Sequence, residues 1–463
     1  MSDQKANKKV SENTVQTLNP ATGEILKTYT LLSESEITSK IQNSQTAFQD
    51  WKKTSFAKRS ELFRKLSILL KKKEQELATL MTQEMGKPIT QGKSEIEKCA
   101  WLCDFYAEKA EEFLSPVVKE SDGSEAYVRY DPLGVILAVM PWNFPFWQVF
   151  RFAVPSLMAG NVGLLKHSST SFGCGEAMES LFLEAGFPKN VFQNLLISGK
   201  QVKQVLENDY VKAATLTGSE AAGSSVAEIA GKNIKKTVLE LGGSDPFIVL
   251  KDADIKTAAK TAVKARTQNS GQSCIAAKRF IIVKEVYEQF VEEFKNEMAK
   301  LKMGDPMDEK TDVGCQARED LAKELEKQVN KSVEKGAKII LGGKRNGAFY
   351  QPTILVDVKE GMPAFDDELF GPIASVIKAE NETHAIELAN NSEFGLGSSL
   401  WTSDMEKARK LASQIESGSV FINGMVKSDP RLPFGGIKKS GYGRELAING
   451  IHEFVNIKTV WIA

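Results

Sequence analysis

The segment Asn269–Cys274 ends in a cysteine that follows the small residues Ser270, Gly271 and Ser273. Glycine lets a backbone approach a bound molecule closely. A cysteine that acts as a nucleophile needs such access and a means of losing its proton. Cys274 is therefore a candidate nucleophile, although the same pattern on its own is more typical of an inert buried thiol.

Two further residues have the chemistry of a base and of an oxyanion donor. Glu240 lies between Leu239 and Leu241, and a carboxylate in such surroundings is costly unless it is paired or used. Desolvation would raise its pKa and make it a better base, but a structural ion pair explains it equally well. Asn143 lies within Pro141–Pro145, where two prolines restrict the backbone. Such an amide can donate to a developing oxyanion, and a turn asparagine is the common alternative.

The segment Thr217–Gly223 has the composition of a helix start that follows a strand. Its backbone N–H groups and the helix dipole are suited to a pyrophosphate. An ordinary helix start is the alternative. The chain contains neither a G-x-G-x-x-G pattern nor a P-loop, so the usual dinucleotide fingerprint is absent.

The elements that position these residues follow from the hydrophobic pattern. From Gly134 onward, short apolar runs alternate with helical stretches, which predicts a parallel, doubly wound α/β sheet. The predicted strands are Val135–Met140, Val162–Leu165, Val191–Ile197, Ala213–Thr217 and Thr237–Leu239. The predicted helices are Val149–Met158, Gly175–Glu184, Val202–Glu207 and Ala221–Ile229.

Such sheets bind ligands beyond the carboxyl ends of their strands. We therefore expect the residues that follow the five strands to gather at one edge of the sheet. These residues are Trp142, Asn143, Lys166, Gly199, Gly218, Ser219 and Glu240.

The remaining chain predicts helices before this region and a second α/β region after it. Apolar residues recur at helical spacing from Ile37 to Met85. The second region has candidate strands at Phe280–Val283, Ile339–Leu341, Ile373–Ile377, Ser399–Trp401 and Val420–Ile422. The polar segment Ser115–Tyr130 interrupts the first region as a hairpin-like arm. The strand-like run Thr459–Ile462 is a candidate to pair with such an arm in another subunit.

Composition limits the class of protein. A chain of 463 residues exceeds the size of a single core, so two or three domains are expected. Lys+Arg and Asp+Glu are equal at 60 each, which gives no general attraction to nucleic acid or membrane. Five scattered cysteines indicate a reducing compartment rather than a disulfide framework. The polar first thirteen residues predict a frayed tail and not a signal peptide, so we expect a cytoplasmic protein. No metal site is expected, because no histidine lies near the pair Cys99 and Cys103.

The ordered set of these motifs resembles the aldehyde dehydrogenase family from about Val15 to the C-terminus. The matching segments are Pro141–Pro145, Lys166, Thr217–Gly223, Glu240–Gly243, Gly271–Cys274 and Glu368–Pro372. The family binds its dinucleotide without the usual glycine fingerprint. The resemblance implies two doubly wound α/β domains plus a small β oligomerisation arm, assembled as a homodimer or homotetramer. It places a dinucleotide-binding domain at 1–116 and 132–240, a catalytic domain at 241–443, and the arm at 117–131 and 444–463.

The resemblance also implies the chemistry of each residue. Cys274 would attack the aldehyde to give a thiohemiacetal, with the oxyanion held by the Asn143 amide and the Cys274 backbone N–H. Hydride transfer to the nicotinamide would leave a thioester, and Glu240 would activate water to release the acid. The implied cofactor-binding residues are Trp142, Lys166, Ser169, Gly199, Gly218, Ser219, Glu368 and Phe370, with Lys166 and Glu368 at the ribose and Ser219 at the pyrophosphate. Glu240 favours hydrolysis, because relatives that pass the acyl group to coenzyme A usually lack this glutamate.

Ser169 bears on the choice between NADP and NAD. Relatives that strongly prefer NAD often carry glutamate at this position, and a carboxylate would repel the 2′-phosphate of NADP. A serine does not, so we expect NADP to be accepted and to be favoured slightly over NAD. His167 is close in sequence, and we interpret it as a plain surface or core histidine rather than a phosphate ligand.

The substrate prediction rests on Arg151 and Ser428. The segments Lys427–Gly436 and Gly271–Arg279 resemble those of the shorter, bacterial-type succinate-semialdehyde dehydrogenases. Arg151 resembles an arginine that holds the substrate carboxylate there with two bonds. Longer relatives carry a second arginine where this chain has Gln268, and Arg266 or Ser428 are candidates to replace it. A structural salt bridge is the alternative role of Arg151.

Three other functions remain open. The first is a dehydrogenase of uncharged medium-chain or aromatic aldehydes, with an apolar tunnel formed by Trp142, Phe144, Phe146, Trp147 and Phe421. The second is a non-catalytic protein that has kept the fold, against which the intact trio Asn143, Glu240 and Cys274 argues. The third is a thiol esterase without dinucleotide, against which Lys166 and Glu368 argue.

Overall fold

A computed structural model describes residues 13–463, so the predicted N-terminal tail lies outside the described residues except for Asn13. The described part contains fifteen α-helices. They are α1 (Glu34–Trp51), α2 (Phe56–Lys72), α3 (Glu74–Met85), α4 (Ile89–Leu114), α5 (Trp147–Met158), α6 (Phe172–Glu184), α7 (Val202–Glu207), α8 (Glu220–Lys232), α9 (Ile255–Thr267), α10 (Tyr287–Met298), α11 (Glu319–Glu334), α12 (Pro363–Asp366), α13 (Glu382–Asn390), α14 (Met405–Ala412) and α15 (Ala447–His452).

The same residues contain twenty-two strands. They are β1 (Thr14–Leu18), β2 (Ile25–Thr30), β3 (Val117–Val118), β4 (Glu125–Pro132), β5 (Val135–Met140), β6 (Val162–His167), β7 (Phe192–Asn194), β8 (Val211–Thr217), β9 (Lys236–Glu240), β10 (Pro246–Val249), β11 (Arg279–Val283), β12 (Lys338–Leu341), β13 (Arg345–Asn346), β14 (Phe349–Tyr350), β15 (Thr353–Val356), β16 (Ile373–Ala379), β17 (Phe394–Gly395), β18 (Gly397–Trp401), β19 (Ser419–Ile422), β20 (Ile437–Lys438), β21 (Gly441–Tyr442) and β22 (Val455–Ile462).

The N-terminal helices form as their apolar spacing predicts. Helix α1 begins at the N-cap Ser33, whose side chain and that of Glu36 form a capping box. Its buried residues Ile37, Ile41, Phe48 and Trp51 lie on one face. These helices pack onto the first sheet and share one large hydrophobic core with it.

The first sheet has the strand order β21-β9-β8-β5-β6-β7. Strands β5 to β9 are all parallel to one another, and helices α5 to α8 connect them. The predicted doubly wound sheet is therefore confirmed. The predicted third strand is shorter than expected, because only Phe192–Asn194 pairs with β6. The edge strand β21 comes from late in the chain and runs antiparallel to β9.

The second sheet has the order β12-β15-β16-β11-β10-β18-β19 and is parallel except for the pair β12 and β15. All five strands predicted for this region are present. Strands β10 and β15 were not predicted, and β10 begins with Pro246, a residue type that is depleted in strands. Two further hydrophobic cores cover the faces of this sheet.

A separate three-stranded antiparallel sheet has the order β22-β4-β3. The predicted arm is therefore a β-structure. Strand β22 pairs along its whole length with β4 of the same chain, and a contact of Thr459–Ile462 with another subunit stays a prediction. The eight-residue register leaves no unpaired stretch of β22 on that side.

The described residues contain neither a membrane-spanning helix nor a group of side chains arranged for a metal ion. No helix within residues 13–463 is both long and apolar enough to cross a bilayer. No group of three or more histidine, cysteine, aspartate or glutamate side chains in this range is arranged to hold a metal ion.

Candidate active site

The loop that carries Cys274 is held in an unusual backbone conformation directly after α9. Asn269, Ser270 and Gly271 all have positive φ values, of 54°, 55° and 78°. Non-glycine residues rarely adopt this region, so the surrounding contacts must hold it. The Arg266 guanidinium donates to the Gly271 carbonyl at 2.6 Å, and the Ser270 hydroxyl accepts from the Gly314 N–H at 2.9 Å.

Gly271 has a different role from the one expected. A side chain at this position would collide with the backbone of Gly371 rather than with a bound molecule. The glycine therefore allows the nucleophile loop to pack against the segment Glu368–Pro372. This contact fixes two of the sequence motifs relative to each other.

Asn143 is joined to the nucleophile loop by a short hydrogen-bond network. Its Nδ2 donates to the Gln272 carbonyl at 3.1 Å. Asn269 Nδ2 donates to the Asn143 carbonyl at 2.6 Å and to the Gln272 carbonyl at 2.9 Å. The amide of Asn143 keeps one N–H that these bonds do not use. Asn143 is thus linked through the Gln272 carbonyl to the loop that carries Cys274.

Cys274 is partly exposed and lines a cavity, whereas the other four cysteines are buried. Burial raises the pKa of its thiol to about 12, although the cations Arg151 and Lys278 act in the opposite direction. Lys278 donates to the carbonyls of Ser273 and Cys274 at 2.8 and 2.6 Å. The resting site therefore holds a protonated thiol on a rigid loop.

Glu240 ends strand β9 and is buried, with neither carboxylate oxygen hydrogen-bonded. Burial and the nearby Glu445 raise its pKa well above the usual range, and Arg151 opposes this shift. The structural ion pair that we considered for Glu240 is not formed. Glu240 and Asn143 are not among the residues that line the cavity with Cys274.

The residues assigned to the cofactor come from two parts of the chain. One part is the carboxyl edge of the first sheet, and the other is the segment Glu368–Pro372. Lys166 is in β6, Ser219 is the N-cap of α8, and the Gly218 N–H donates to the Glu240 carbonyl at 3.0 Å. Glu368 lies in the loop between α12 and β16. Its carboxylate accepts from the Gly243 N–H at 3.1 Å and pairs with Lys278 at 3.3 Å.

Three more residues of this set have local contacts of their own. The rings of Trp142 and Phe370 meet edge to face at 5.8 Å, which links the two parts. Ser169 begins a short 3-10 turn after β6, and Gly199 begins another after β7. An added Cβ at Gly199 would meet no atom within 4 Å, so the position is open.

His167 is a core histidine, in agreement with our interpretation. It is completely buried, and its Nε2 lies 3.0 Å from the Pro145 carbonyl. Burial lowers its pKa to about 4, so the ring is neutral and unsuited to binding a phosphate. Its contact instead supports the Pro141–Pro145 segment that carries Asn143.

A cavity of about 630 Å³ leads to Cys274 and is lined by Arg151 and Ser428. Arg151 Nε pairs with Glu445 at 2.7 Å, and the guanidinium lies over the Phe434 ring at 4.5 Å. The salt bridge considered for Arg151 is therefore present. Its Nη2 has no hydrogen-bond partner among the described residues and almost no accessible surface, so a ligand reaches it only if the cavity wall shifts.

The structure shows which of the residues expected near the substrate line the cavity wall. Gln268 lines the cavity. Arg266 does not replace the missing arginine there, because it is buried against the Gly271 carbonyl and does not line the cavity. Of the aromatic residues expected to form a tunnel, Phe144 and Trp147 line the cavity, whereas Trp142, Phe146 and Phe421 do not.

Several residues of the site gave no signal in the sequence. Lys278 and Asn269 organise the nucleophile loop, Glu445 pairs with Arg151, and Lys98 lines the cavity. Each lies in a segment whose composition is ordinary for a helix or loop. Their roles depend on neighbours far away in the chain, which spacing does not show.

Comparison with known proteins agrees with this geometry: residues 7–460 match the aldehyde dehydrogenase family. The chain belongs to the aldehyde dehydrogenase family. It is 52% identical to a probable NADP-dependent succinate-semialdehyde dehydrogenase of Synechocystis sp., over 97% of this chain and 100% of the relative.

Two further similarities point the same way. The chain is 50% identical to succinate-semialdehyde dehydrogenase [NADP(+)] 1 of Mycobacterium tuberculosis, over 97% of this chain and 100% of that one. It also superposes on a succinic semialdehyde dehydrogenase of Streptococcus pyogenes in complex with NADP⁺, with a TM-score of 0.95 and 38% identity. That match covers 96% of this chain and 99% of the other.

Proposed function

We propose that this protein oxidises succinate semialdehyde to succinate with NADP as the hydride acceptor. The observation that carries the proposal is the cavity in which Cys274 and the buried Arg151 face the same space. A guanidinium in that position suits an aldehyde that carries a carboxylate at its other end. The named relatives at 50–52% identity support the same substrate and cofactor.

We assign catalytic roles to three side chains. Cys274 is the nucleophile, because it is the partly exposed cysteine at the cavity. The Asn143 amide, which the Gln272 carbonyl orients, and the Cys274 N–H stabilise the oxyanion. Glu240 is the base that activates water. Burial and the nearby Glu445 raise its pKa well above the usual range, which makes the carboxylate a stronger base.

The cofactor side is assigned to residues at the carboxyl edge of the first sheet. Ser219 and the N-terminus of α8 fit a pyrophosphate, because the first N–H groups of a helix attract anions. Lys166 and Glu368 are assigned to the ribose, and Trp142, Gly199, Gly218 and Phe370 complete the set. Ser169 places no carboxylate where a 2′-phosphate would bind, which supports NADP. A bound nicotinamide supplies the hydride acceptor.

We also assign the two sheets to separate roles and the third to assembly. The first sheet and its helices form the dinucleotide-binding domain at 1–116 and 132–240, and the second forms the catalytic domain at 241–443. The three-stranded sheet is the arm through which subunits form a homodimer or homotetramer. All five cysteines are free, which supports a reducing, cytoplasmic location.

The competing substrate is an uncharged aldehyde of medium length. Phe144, Trp147, Met425 and Phe434 provide apolar surface in the same cavity. Arg151 weighs against this alternative, because a buried guanidinium with an unused Nη2 is costly next to an apolar chain.

The first test compares succinate semialdehyde with butanal, which has the same number of carbons and no carboxylate. We expect the native enzyme to favour succinate semialdehyde in kcat/KM, and to use NADP at least as well as NAD. Arg151→Ala should lower kcat/KM for succinate semialdehyde about 10- to 100-fold more than for butanal, since a charge-assisted hydrogen bond is lost.

The comparison between substrates is essential, because Arg151 also neutralises Glu445 beside Glu240. Equal losses for both aldehydes would mean that Arg151 acts only through that pair. A native enzyme that prefers butanal would overturn the semialdehyde and leave the aldehyde dehydrogenase intact.

A further inference from the structure

Lys98 lies at the cavity wall with Arg151, and no sequence motif indicates it. Four further lysines also line the cavity: Lys260, Lys264, Lys300 and Lys427. Lys98 is half-buried on α4 and lines the cavity with Cys274. Its Nζ donates to the Ser428 hydroxyl at 2.8 Å and lies 4.3 Å above the Trp147 ring. Three elements, α4, α5 and the loop before Phe434, therefore bring polar groups together at one wall.

The carboxylates closest to Lys98 are already engaged elsewhere. Glu95, one turn earlier on α4, pairs with the buried Lys87 and accepts from the N–H groups of Phe146 and Trp147. Asp429 accepts two bonds from Arg431, at 2.9 and 2.7 Å. Among residues 13–463, no acidic side chain lies within ion-pair distance of the Lys98 ammonium group, which leaves two of its three N–H groups for a ligand.

The Ser428 hydroxyl lines the same cavity and is held by two hydrogen-bond donors. It accepts from Lys98 Nζ and, at 3.0 Å, from Trp147 Nε1. A hydroxyl that accepts two bonds has its own hydrogen left to donate. The site therefore offers an O–H donor beside an ammonium, both in reach of an anion in the cavity.

The charge balance distinguishes Lys98 from Arg151. Glu445 pairs with Arg151 at 2.7 Å, so this pair together carries no net charge. Lys98 has no such compensation. Burial, and then Arg151, lower the pKa of Lys98 to about 8, which is the behaviour of a cation that lacks an anionic partner.

We propose that Lys98 is a substrate-binding residue that supplies a positive charge for the substrate's carboxylate, together with Ser428 and Arg151. This assignment gives the site the second cation that Gln268 does not provide, from a different helix. It rests on the proposed function, because it requires a carboxylate-bearing aldehyde. The reacting aldehyde carbon lies at Cys274, and Lys98 takes no part in the bond changes.

The test is Lys98→Met, which keeps the length of the side chain and its packing on Trp147 but removes the charge. For succinate semialdehyde we expect KM to rise about 10- to 100-fold with little change in kcat. Kinetics with butanal should be unchanged or improved. The matched control is Lys109→Met, the same replacement on the same helix at a position outside the cavity, where the side chain is 40% exposed, about 16 Å farther along α4.

A second measurement uses succinate as a competitive inhibitor, since it binds without reacting. In the native enzyme its inhibition constant should rise as the pH passes about 8, because Lys98 loses its proton there. The groups that face Lys98 are Glu95 and Cys99 on α4, Arg151 on α5 and Asp429 on the loop. Lys98→Met should show weak inhibition at every pH, without this step.

The possible outcomes distinguish the proposed role of Lys98 from the proposed function of the enzyme. Equal impairment with succinate semialdehyde and butanal would show a structural role for Lys98 and overturn the inference. An unchanged KM in Lys98→Met, while the native enzyme still prefers succinate semialdehyde, would also overturn it and leave the proposed function standing. A native enzyme without that preference would refute the proposed function itself.

Discussion

Cys274 and Glu240 both lie where burial disfavours their charged forms. The pKa of the thiol is raised to about 12 and that of the carboxyl group lies well above its usual range. A thiol that is protonated at rest is protected from unproductive oxidation, because thiolate is the reactive form of cysteine. The chemistry must then become faster as the pH rises.

Alkylation of Cys274 measures this effect directly. We expect the rate with iodoacetamide to increase about tenfold per pH unit from about pH 7 to 10 without a plateau, because the thiolate fraction grows in that proportion below the pKa. Cys274→Ser corrects for the four buried cysteines. A plateau near pH 8 would show a thiolate already formed in the resting enzyme, contrary to this structure.

At the scale of elements, the nucleophile loop and the Glu368–Pro372 segment form one unit. Gly271 lies against the Gly371 backbone, and Lys278 bonds to the Cys274 carbonyl while it pairs with Glu368. A cofactor-side residue and the nucleophile are therefore connected through one lysine. Movement of either segment would change the other, since packed interiors leave little free space.

Gly271→Ala tests the contact between these two segments. The added methyl group collides with the Gly371 backbone, and the φ of 78° disfavours alanine. We expect the free energy of unfolding to fall by about 1–3 kcal/mol and activity to fall with it. Thermal or urea unfolding and the alkylation rate of Cys274 are the measurements.

Gly231→Ala on α8 is the matched control. An added Cβ there meets no atom within 4 Å, so alanine should raise the stability by about 0.5–1 kcal/mol. If Gly271→Ala behaved like Gly231→Ala, the packing argument for the nucleophile loop would be wrong.

At the scale of the whole molecule, the three-stranded sheet carries apolar side chains that the chain itself leaves uncovered. Val117 is 41% exposed, Ile457 62% and Trp461 51%, and the strand register places all three on the same face of the sheet. An exposed apolar patch on a small sheet is typical of a contact between subunits. This patch supports the assembly that we propose, with the arm of each chain already complete through the pairing of β4 and β22.

Ile457→Asp should shift the oligomer toward the 51.0 kDa monomer, because a charge would be buried at the contact. Size-exclusion chromatography with light scattering measures the mass. Ile68→Asp, at an exposed position on α2, is the control and should leave the mass unchanged. An Ile457→Asp protein with the native mass would exclude the arm as the interface.

The comparison of sequence with structure shows which properties are local. The alternation of strands and helices predicted the first sheet and its carboxyl edge, since periodicity depends on neighbours in the chain. Strands β10 and β15 were missed although β12 and β19, which have the same length, were predicted, so the length of a strand does not explain the difference. The hairpin β1–β2 was missed because much of it is exposed and polar.

The amino-acid sequence by itself determined the class of fold and the residue types available for thiol chemistry, because both depend on short segments read in order. Only the tertiary structure decided which of those residues share a space. It paired Arg151 with Glu445, removed Arg266 from the cavity, and brought Lys98 and Ser428 together at its wall. Electrostatic interactions depend on distance and burial, which the folded chain sets and the spacing of residues does not.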